Sequence, residues 1–424
     1  MVKVILQLYP MLRAEDEEER KRLRPLGRNT ERFQEFIDSL PIVAQACDDL
    51  GLWGIASIEH HFHSEGYEVG PNPTAIGIHL ASLTKRARIG QLGYTMSAQN
   101  PFRVAEDTAL LDHITKGRCF VGFSRGYQSR WTNVLGQHLG VEATLSPEGF
   151  TEQRRAQFTN EQFQRQKQID QVNRDVFEEQ VDLVVDAWTK ECISLNTPRW
   201  QVPFPYEEGI EWGMASTTAR LGAPGEIGTD GRVHGVSVCP APYTNPHPPV
   251  FVASTASKQT VEYCGRRGFN PTYFSSIKKA AELGRSYVEC AAEVGRHYAF
   301  GQNQALVRWM QVAPTREEAL QAVMDYDVEI YKNLYQPLTP AMPYDPANPV
   351  ESVLAAGLFS AGSVEEVRQQ FAQQWDELPA EYCVLIFHYP HMPANKLIEN
   401  LEVFMSKIKP DLDERVDAAG YVAN

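Results

Sequence analysis

The stretch Ile58-Glu59-His60-His61-Phe62-His63 sets three of the chain's 11 histidines beside a glutamate, directly after the apolar run Leu52-Trp53-Gly54-Ile55-Ala56-Ser57. Imidazole changes charge near neutral pH, so such a cluster suits metal ligation, proton transfer or a solvated turn. Two further stretches stand just after apolar runs. Ser124-Arg125-Gly126 adds a cation and a glycine that lets backbone approach closely, fit for a phosphate or a carboxylate partner. Ser254-Thr255-Ala256-Ser257-Lys258 opens a helical pattern, offering hydroxyls and free N–H groups at a positive helix end. Such an end cradles a phosphate, and equally makes an ordinary N-cap. Taken together, the arginine and the hydroxyl-rich helix start point to a ligand that carries phosphate.

These residues need elements to hold them. Short apolar runs alternate with helical patterns: Val2–Leu8, Leu52–Ile58, Ala87–Tyr94, Cys119–Phe123, Pro249–Ala253, Thr272–Ser275, Ala305–Val312 and Tyr382–Phe387 read as strands. Between the first two runs a helical pattern from Phe33 to Leu50 ends at Gly51, and Pro41 inside it predicts a kink or break. The cleanest helix has Asn100 as N-cap, Pro101 in the first turn and Gly117 as its stop. Repeated β-then-α units with eight strands predict an α/β fold, a (β/α)₈ TIM barrel with extended loop insertions. Such a barrel needs about 250 residues. The surplus is expected in insertions near 136–173, 191–247 and 335–356 of one domain spanning 1–410, with 411–424 as a weakly ordered tail. A barrel's active site lies at the carboxyl ends of its strands, which is where all three chemical stretches fall.

Two geometric expectations follow. A barrel-hydrolase metal site pairs His-x-His after the first strand with an aspartate after the last. Here His61-x-His63 follows the second, and the last strand leads into His388-Tyr389-Pro390-His391 with no aspartate, so no metal ligands are assigned. The acid/base reading keeps one or two of the histidines, with Glu59 setting the tautomer.

Composition excludes several classes. With 40 Lys+Arg against 54 Asp+Glu, the balance of −14 repels a phosphodiester backbone, so nucleic acid is not expected as a partner. No run reaches the roughly 18 apolar residues of a membrane span, and the start has no secretory pattern, so a cytoplasmic location is the default expectation. The seven cysteines lack any C-x-x-C pair and read as reduced thiols.

Glu59-His60-His61-Phe62, Gly70-Pro71-Asn72-Pro73, Arg88-Ile89-Gly90, Asn100-Pro101-x-Arg103-x-Ala105-Glu106, Leu111-Asp112-His113-x-x-x-Gly117-Arg118 and Gly122-x-x-Arg125-Gly126 together resemble the bacterial luciferase-like flavin-dependent monooxygenases. The resemblance is specific over residues 52–127, and weaker at 249–268 and 361–367. It implies a homodimeric barrel enzyme that takes reduced FMN from a separate flavin reductase. With O₂ it forms a flavin C4a-hydroperoxide and inserts one oxygen atom into a small organic substrate. By resemblance, His60 is catalytic and Ser124 lies beside the reactive edge of the flavin. Arg125 binds the phosphate with Ser254, Thr255 and Ser257, while Glu59 and Gly126 belong to the cofactor site. Leu92 and Gly93 lie under the ring, often joined by a non-proline cis peptide. A second phosphate arginine falls at Arg174 or Glu178, and Trp131 stands where the family has an aspartate near the flavin. Phe62, Tyr94, Met96, Tyr127 and Trp131, with Phe123, are expected to line the substrate pocket. Alternatives within reach of the same residues are a deazaflavin (F420)-dependent oxidoreductase, a non-catalytic flavin-binding subunit and a metal-dependent hydrolase.

Overall fold

The computed structural model describes residues 1–421 except 145–146, 148–149, 151, 256 and 341. Eight parallel strands close into a barrel: β1 Lys3–Leu8, β2 Gly54–Ser57, β3 Arg88–Gln91, β4 Cys119–Ser124, β5 Val250–Ser254, β6 Asn270–Tyr273, β7 Ala305–Ala313 and β8 Tyr382–Phe387. Each pairs with its sequence neighbour, and β1 closes on β8 over Lys3–Tyr382 to Leu8–Phe387. All eight sequence-predicted strands are present.

Strand alternation sorts the side chains into two cores. Ile5, Ala56, Phe120, Phe251, Val307, Val384 and Ile386 fill the interior, while Val4, Leu6, Ile55, Val121, Val252 and Leu385 pack outward against the helices. Trp53, Phe120, Phe251 and Tyr382 plug the amino-terminal end with ring centroids 5.0–6.1 Å apart. The plug closes the barrel interior at this end and leaves its carboxyl-end mouth unplugged by these rings. Gly90 makes room for this plug, since a Cβ there would lie 2.2 Å from the Phe120 carbonyl oxygen.

Three expectations change. The helix Thr30–Asp49 runs unbroken through Pro41, whose exposed face lets the buried Phe36, Leu40, Val43 and Cys47 outweigh one lost hydrogen bond. The stretch after 410 is ordered: Lys409–Ala418 is helical with Leu412 and Val416 buried, while residues 422–424 lie outside the described ones. An extra strand, Phe359–Ser363, pairs with the end of β7 outside the barrel, and Ser363 then caps the helix Val364–Glu377. Of the insertion at 136–173, residues 160–173 begin the long helix Asn160–Thr189, which brings Asp170 and Arg174 to the barrel mouth.

Candidate functional site

The loop after β2 delivers the histidines. Phe62 and Glu68 take left-handed backbone conformations, φ 63° and 48°, which non-glycine residues seldom adopt outside constrained loops. His60 Nδ1 lies 2.5 Å from Glu68 Oε2. Burial pushes the Glu68 carboxyl up, but its electrostatic pairing and hydrogen bond with the His60 imidazole, with His63 and Gln128 adding, outweigh it and hold the group below the usual carboxylate range. An ionised Glu68 can only accept, so His60 carries its proton on Nδ1 and keeps Nε2 for other partners. Trp131 Nε1, which can only donate, gives its hydrogen to Gln128 Oε1 at 3.1 Å and so fixes that amide. Gln128 Oε1 then accepts from His63 Nε2 at 2.8 Å, while its Nε2 donates to Glu68 at 3.2 Å. Burial is the main reason that the His63 pKa falls to about 4, so this ring stays neutral.

Glu59 does not set the tautomer of His60. Its buried carboxylate accepts from His61 Nε2 at 2.8 Å, from the Thr95 amide at 2.7 Å and from Gln99 Nε2 at 2.6 Å. It ties the β2 loop to the segment after β3. Thr95 Oγ1 in turn meets Ser124 Oγ at 3.0 Å. The Leu92–Gly93 peptide is cis, and Gly93 packs so tightly on β4 that a Cβ would lie 2.4 Å from the Gly122 carbonyl carbon.

Beyond Ser124 the charges gather. Arg125 Nη1 lies 3.1 Å from Asp170 Oδ1, and Arg174 Nη2 lies 2.9 Å from Asp170 Oδ2. Arg174 Nη1 also donates to Ser257 Oγ at 2.8 Å, at the N-cap of the helix Lys258–Arg267. Two guanidinium groups thus share one carboxylate beside a positive helix end, and Arg174 Nε is buried with no hydrogen-bond partner among the described residues. Gly126 is in the left-handed region (φ 85°), and a Cβ there would lie 2.7 Å from Thr95 Cγ2. Ser254 Oγ turns back to the Val252 carbonyl and Thr255 is exposed. Ser257 is therefore the hydroxyl that meets Arg174, and Arg174 is joined to Arg125 through Asp170.

The expected pocket residues divide. Trp131 is buried against the imidazoles, with centroids 6.2 Å from His60 and 5.7 Å from His61. Phe62 and Tyr127 lie at the rim, about half exposed. Tyr94, Met96 and Phe123 belong instead to the outer core. The interruption of the third strand at Leu92–Gly93 resets the alternation, so Tyr94 falls on the helix side, its hydroxyl 2.7 Å from Thr74 Oγ1. Across the mouth, Tyr9 meets His60 edge-on at 6.1 Å and Trp309 at 6.2 Å. Sequence reasoning missed Tyr9, Glu68, Gln128 and Asp170. Only Asp170 carried a signal, its i, i+4 spacing to Arg174 on one helix face. His60, His63 and Glu68 also bring one possible ligand atom each within 4.8 Å of one another.

A sequence model described as luciferase-like monooxygenase matches residues 22–154. The chain is 34% identical over 102 residues to the alkanal monooxygenase beta chain of Photorhabdus luminescens, covering 22% of this chain and 31% of that one. The matched stretches span only 20–31% of the length of such curated relatives. Over the whole fold the chain is similar to the oxygenating constituent of 3,6-diketocamphane monooxygenase of Pseudomonas putida, a type II Baeyer–Villiger monooxygenase in complex with FMN. That likeness has a TM-score of 0.67 at 18% identity and covers 97% of this chain and 98% of that one. An F420-dependent secondary alcohol dehydrogenase is similar at a TM-score of 0.58 and 13% identity, covering 97% and 99%. At these identities the structural likeness shows the fold alone.

Proposed function

We propose, from the premise that the chain belongs to the luciferase-like monooxygenase family, that it is a two-component enzyme using reduced FMN and O₂ to oxygenate a small organic molecule. The observation that carries this reading is the convergence of Arg125, Arg174 and Ser257 at a helix start, with the His60–Glu68 pair at the same strand ends of the barrel. The donor set fits a phosphate: two arginines against one acid, an unpartnered buried Arg174 Nε, and a glycine where backbone must approach. When bound, reduced flavin would supply the activation of O₂ and the transfer of one oxygen atom.

The chain's own residues perform the remaining work. Arg125, Arg174 and Ser257 would anchor the phosphate. Ser124, Leu92 and Gly93 shape the strand ends on which the ring system would rest. Glu68 holds His60 with Nε2 unprotonated, so His60 can accept a proton there and return it. Tyr9, Trp131 and Trp309 form apolar walls that exclude water from the reacting atoms.

Anaerobic mixing with reduced FMN, followed by oxygen, tests this reading. Binding and a transient near-ultraviolet absorption band are expected. Arg125→Ala and Arg174→Ala should each weaken flavin binding by about ten- to a hundredfold, the worth of a charge-assisted hydrogen bond. His60→Ala should leave binding intact and shorten the transient. Binding of reduced deazaflavin F420 in place of FMN would move the assignment to the oxidoreductase alternative. Flavin binding without oxygen chemistry would indicate a non-catalytic subunit, and stoichiometric zinc on His60, His63 and Glu68 a metal enzyme.

A further inference from the structure

A second buried acid–histidine pair lies across the mouth from His60. His388, just after β8, sets Nδ1 2.7 Å from Asp327 Oδ1, and neither side chain reaches solvent. The other Asp327 oxygen accepts from Gln311 Nε2 at 3.0 Å. A carboxylate accepts only, so the proton sits on His388 Nδ1 and Nε2 presents its lone pair. Trp309 gives an independent check, because its indole can only donate and Nε1 lies 3.1 Å from that same Nε2. Tyr335 Oη lies 2.9 Å from Nε2 as well, so the phenol is a second donor that shares this single lone pair with the Trp309 indole. With its hydrogen committed to His388, the Tyr335 oxygen keeps lone pairs for a hydroxyl donor.

Tyr335 closes the π-helical turn Tyr331–Tyr335, a distortion frequent at functional sites. Its ring packs on Trp309 with centroids 5.9 Å apart, and Trp309 leads through Tyr9 to His60. The charged and titratable groups that face the phenol are Glu68, Tyr9, Tyr127 and Asp327, which places it on the same mouth, and His391 faces His388. This arrangement is unlike a solvated surface tyrosine.

We propose that Tyr335, His388 and Asp327 form a proton relay that takes the hydroxyl proton of a phenol-class substrate bound at the barrel mouth. The inference rests on the reading of that mouth as the reaction site. The substrate O–H bond breaks as its proton passes to Tyr335 Oη; the Tyr335 O–H bond breaks as that proton passes to His388 Nε2. Asp327 holds the resulting imidazolium, and no electrons change hands. The substrate becomes a phenolate, whose ring carbons are the better nucleophiles toward an electrophilic oxygen donor. Burial, with Glu68 adding, keeps the Tyr335 phenol well above its ordinary range, so it relays a proton instead of resting ionised. A phenol is the matched class because its acidity, near pH 10, lies within reach of an imidazole, whereas an aliphatic alcohol's does not. Flat aromatic walls from Tyr9, Trp309 and Phe274 suit such a ring.

Spectrophotometric titration of the flavin-free full chain with 4-nitrophenol tests the relay, because the ionised probe absorbs in the visible. The bound probe should ionise about one pH unit below the free probe, a tenfold shift. Tyr335→Phe should abolish that shift, so that the phenol and phenolate forms of the probe bind equally well, and Asp327→Asn should reduce it; circular dichroism would verify both folds. No shift in the unsubstituted protein, whether the probe binds or not, overturns the proposal, and so does a shift that survives in Tyr335→Phe. Reduced-FMN binding is measured separately, so failure of the flavin reading would show there with the 4-nitrophenol shift intact.

Discussion

At the scale of single residues, the site is a contest between burial and hydrogen bonding. Glu68 is buried yet ionised because His60, His63 and Gln128 answer its charge. Glu68→Gln keeps the shape and removes the charge, so His60 loses the partner that fixes its tautomer. Turnover should fall by about ten- to a hundredfold with flavin affinity nearly unchanged, a split read from steady-state kinetics and a binding titration. His63 carries a sign that stability measurements can read. Its folded pKa of about 4 lies below the ordinary value of 6.5, so between those limits the unfolded chain binds the extra proton and stability rises with pH. On the order of 3 kcal/mol should be lost on acidifying from pH 7 to pH 4, and urea melts of His63→Asn should show that part of the slope missing. If His63→Asn keeps the full slope, other groups carry it. The sequence made His60, Ser124, Arg125 and Ser257 legible, because each sits at a recognisable strand or helix end. Glu68 and Gln128 were not, since their partners are set by two loops folding over one another rather than by spacing.

At the scale of elements, the strands owe their positions to glycines as much as to apolar side chains. Gly54 and Gly90 flank Phe120, and the ring of Phe120 fills the barrel floor. A methyl at Gly90 meets backbone and ring together, at 2.2 and 2.6 Å, so neither can yield cheaply. Gly90→Ala should cost about 1–3 kcal/mol, seen as a lowered urea midpoint with an unchanged slope. At Gly51 a methyl meets nothing within 4 Å, and only its left-handed φ of 73° resists, so Gly51→Ala should cost about 1 kcal/mol. Equal losses at both sites would argue against the packing account. Elements with a strong periodic pattern were readable in advance, as the Asn100-capped helix shows. Phe359–Ser363 was not, because its small residues lack a strand pattern and its pairing with β7 is a tertiary matter. The helix Lys409–Ala418 was hidden for a related reason: only Leu412 and Val416, one turn apart, mark its buried face among charged neighbours.

At the scale of the whole molecule, the last strand completes both the fold and the site. β8 lies between β7 and β1, and its six side chains from Tyr382 to Phe387 are all buried. Their burial is worth about 10 kcal/mol or more, comparable with the entire net stability of a typical domain. The chain's ends reinforce that closure, with Lys3 Nζ 2.5 Å from Glu381, the Val2 amide 2.6 Å from Asp413 and the amino terminus 2.8 Å from Asp417. Groups at the mouth also come from the length of the chain: Tyr9 after β1, Arg174 from the helix Asn160–Thr189 and His388 after β8. A barrel built this way should unfold as one unit. Far-ultraviolet circular dichroism and tryptophan fluorescence should report the same transition midpoint in the intact chain. Deleting residues 378–424 should abolish cooperative melting altogether, since it opens the sheet at β1 and β7 and exposes Ile5 and Val307. A truncated chain that still melts in a single sharp transition would mean that the preceding seven strands hold together without closure, and that the fold divides where the hydrogen bonding says it does not.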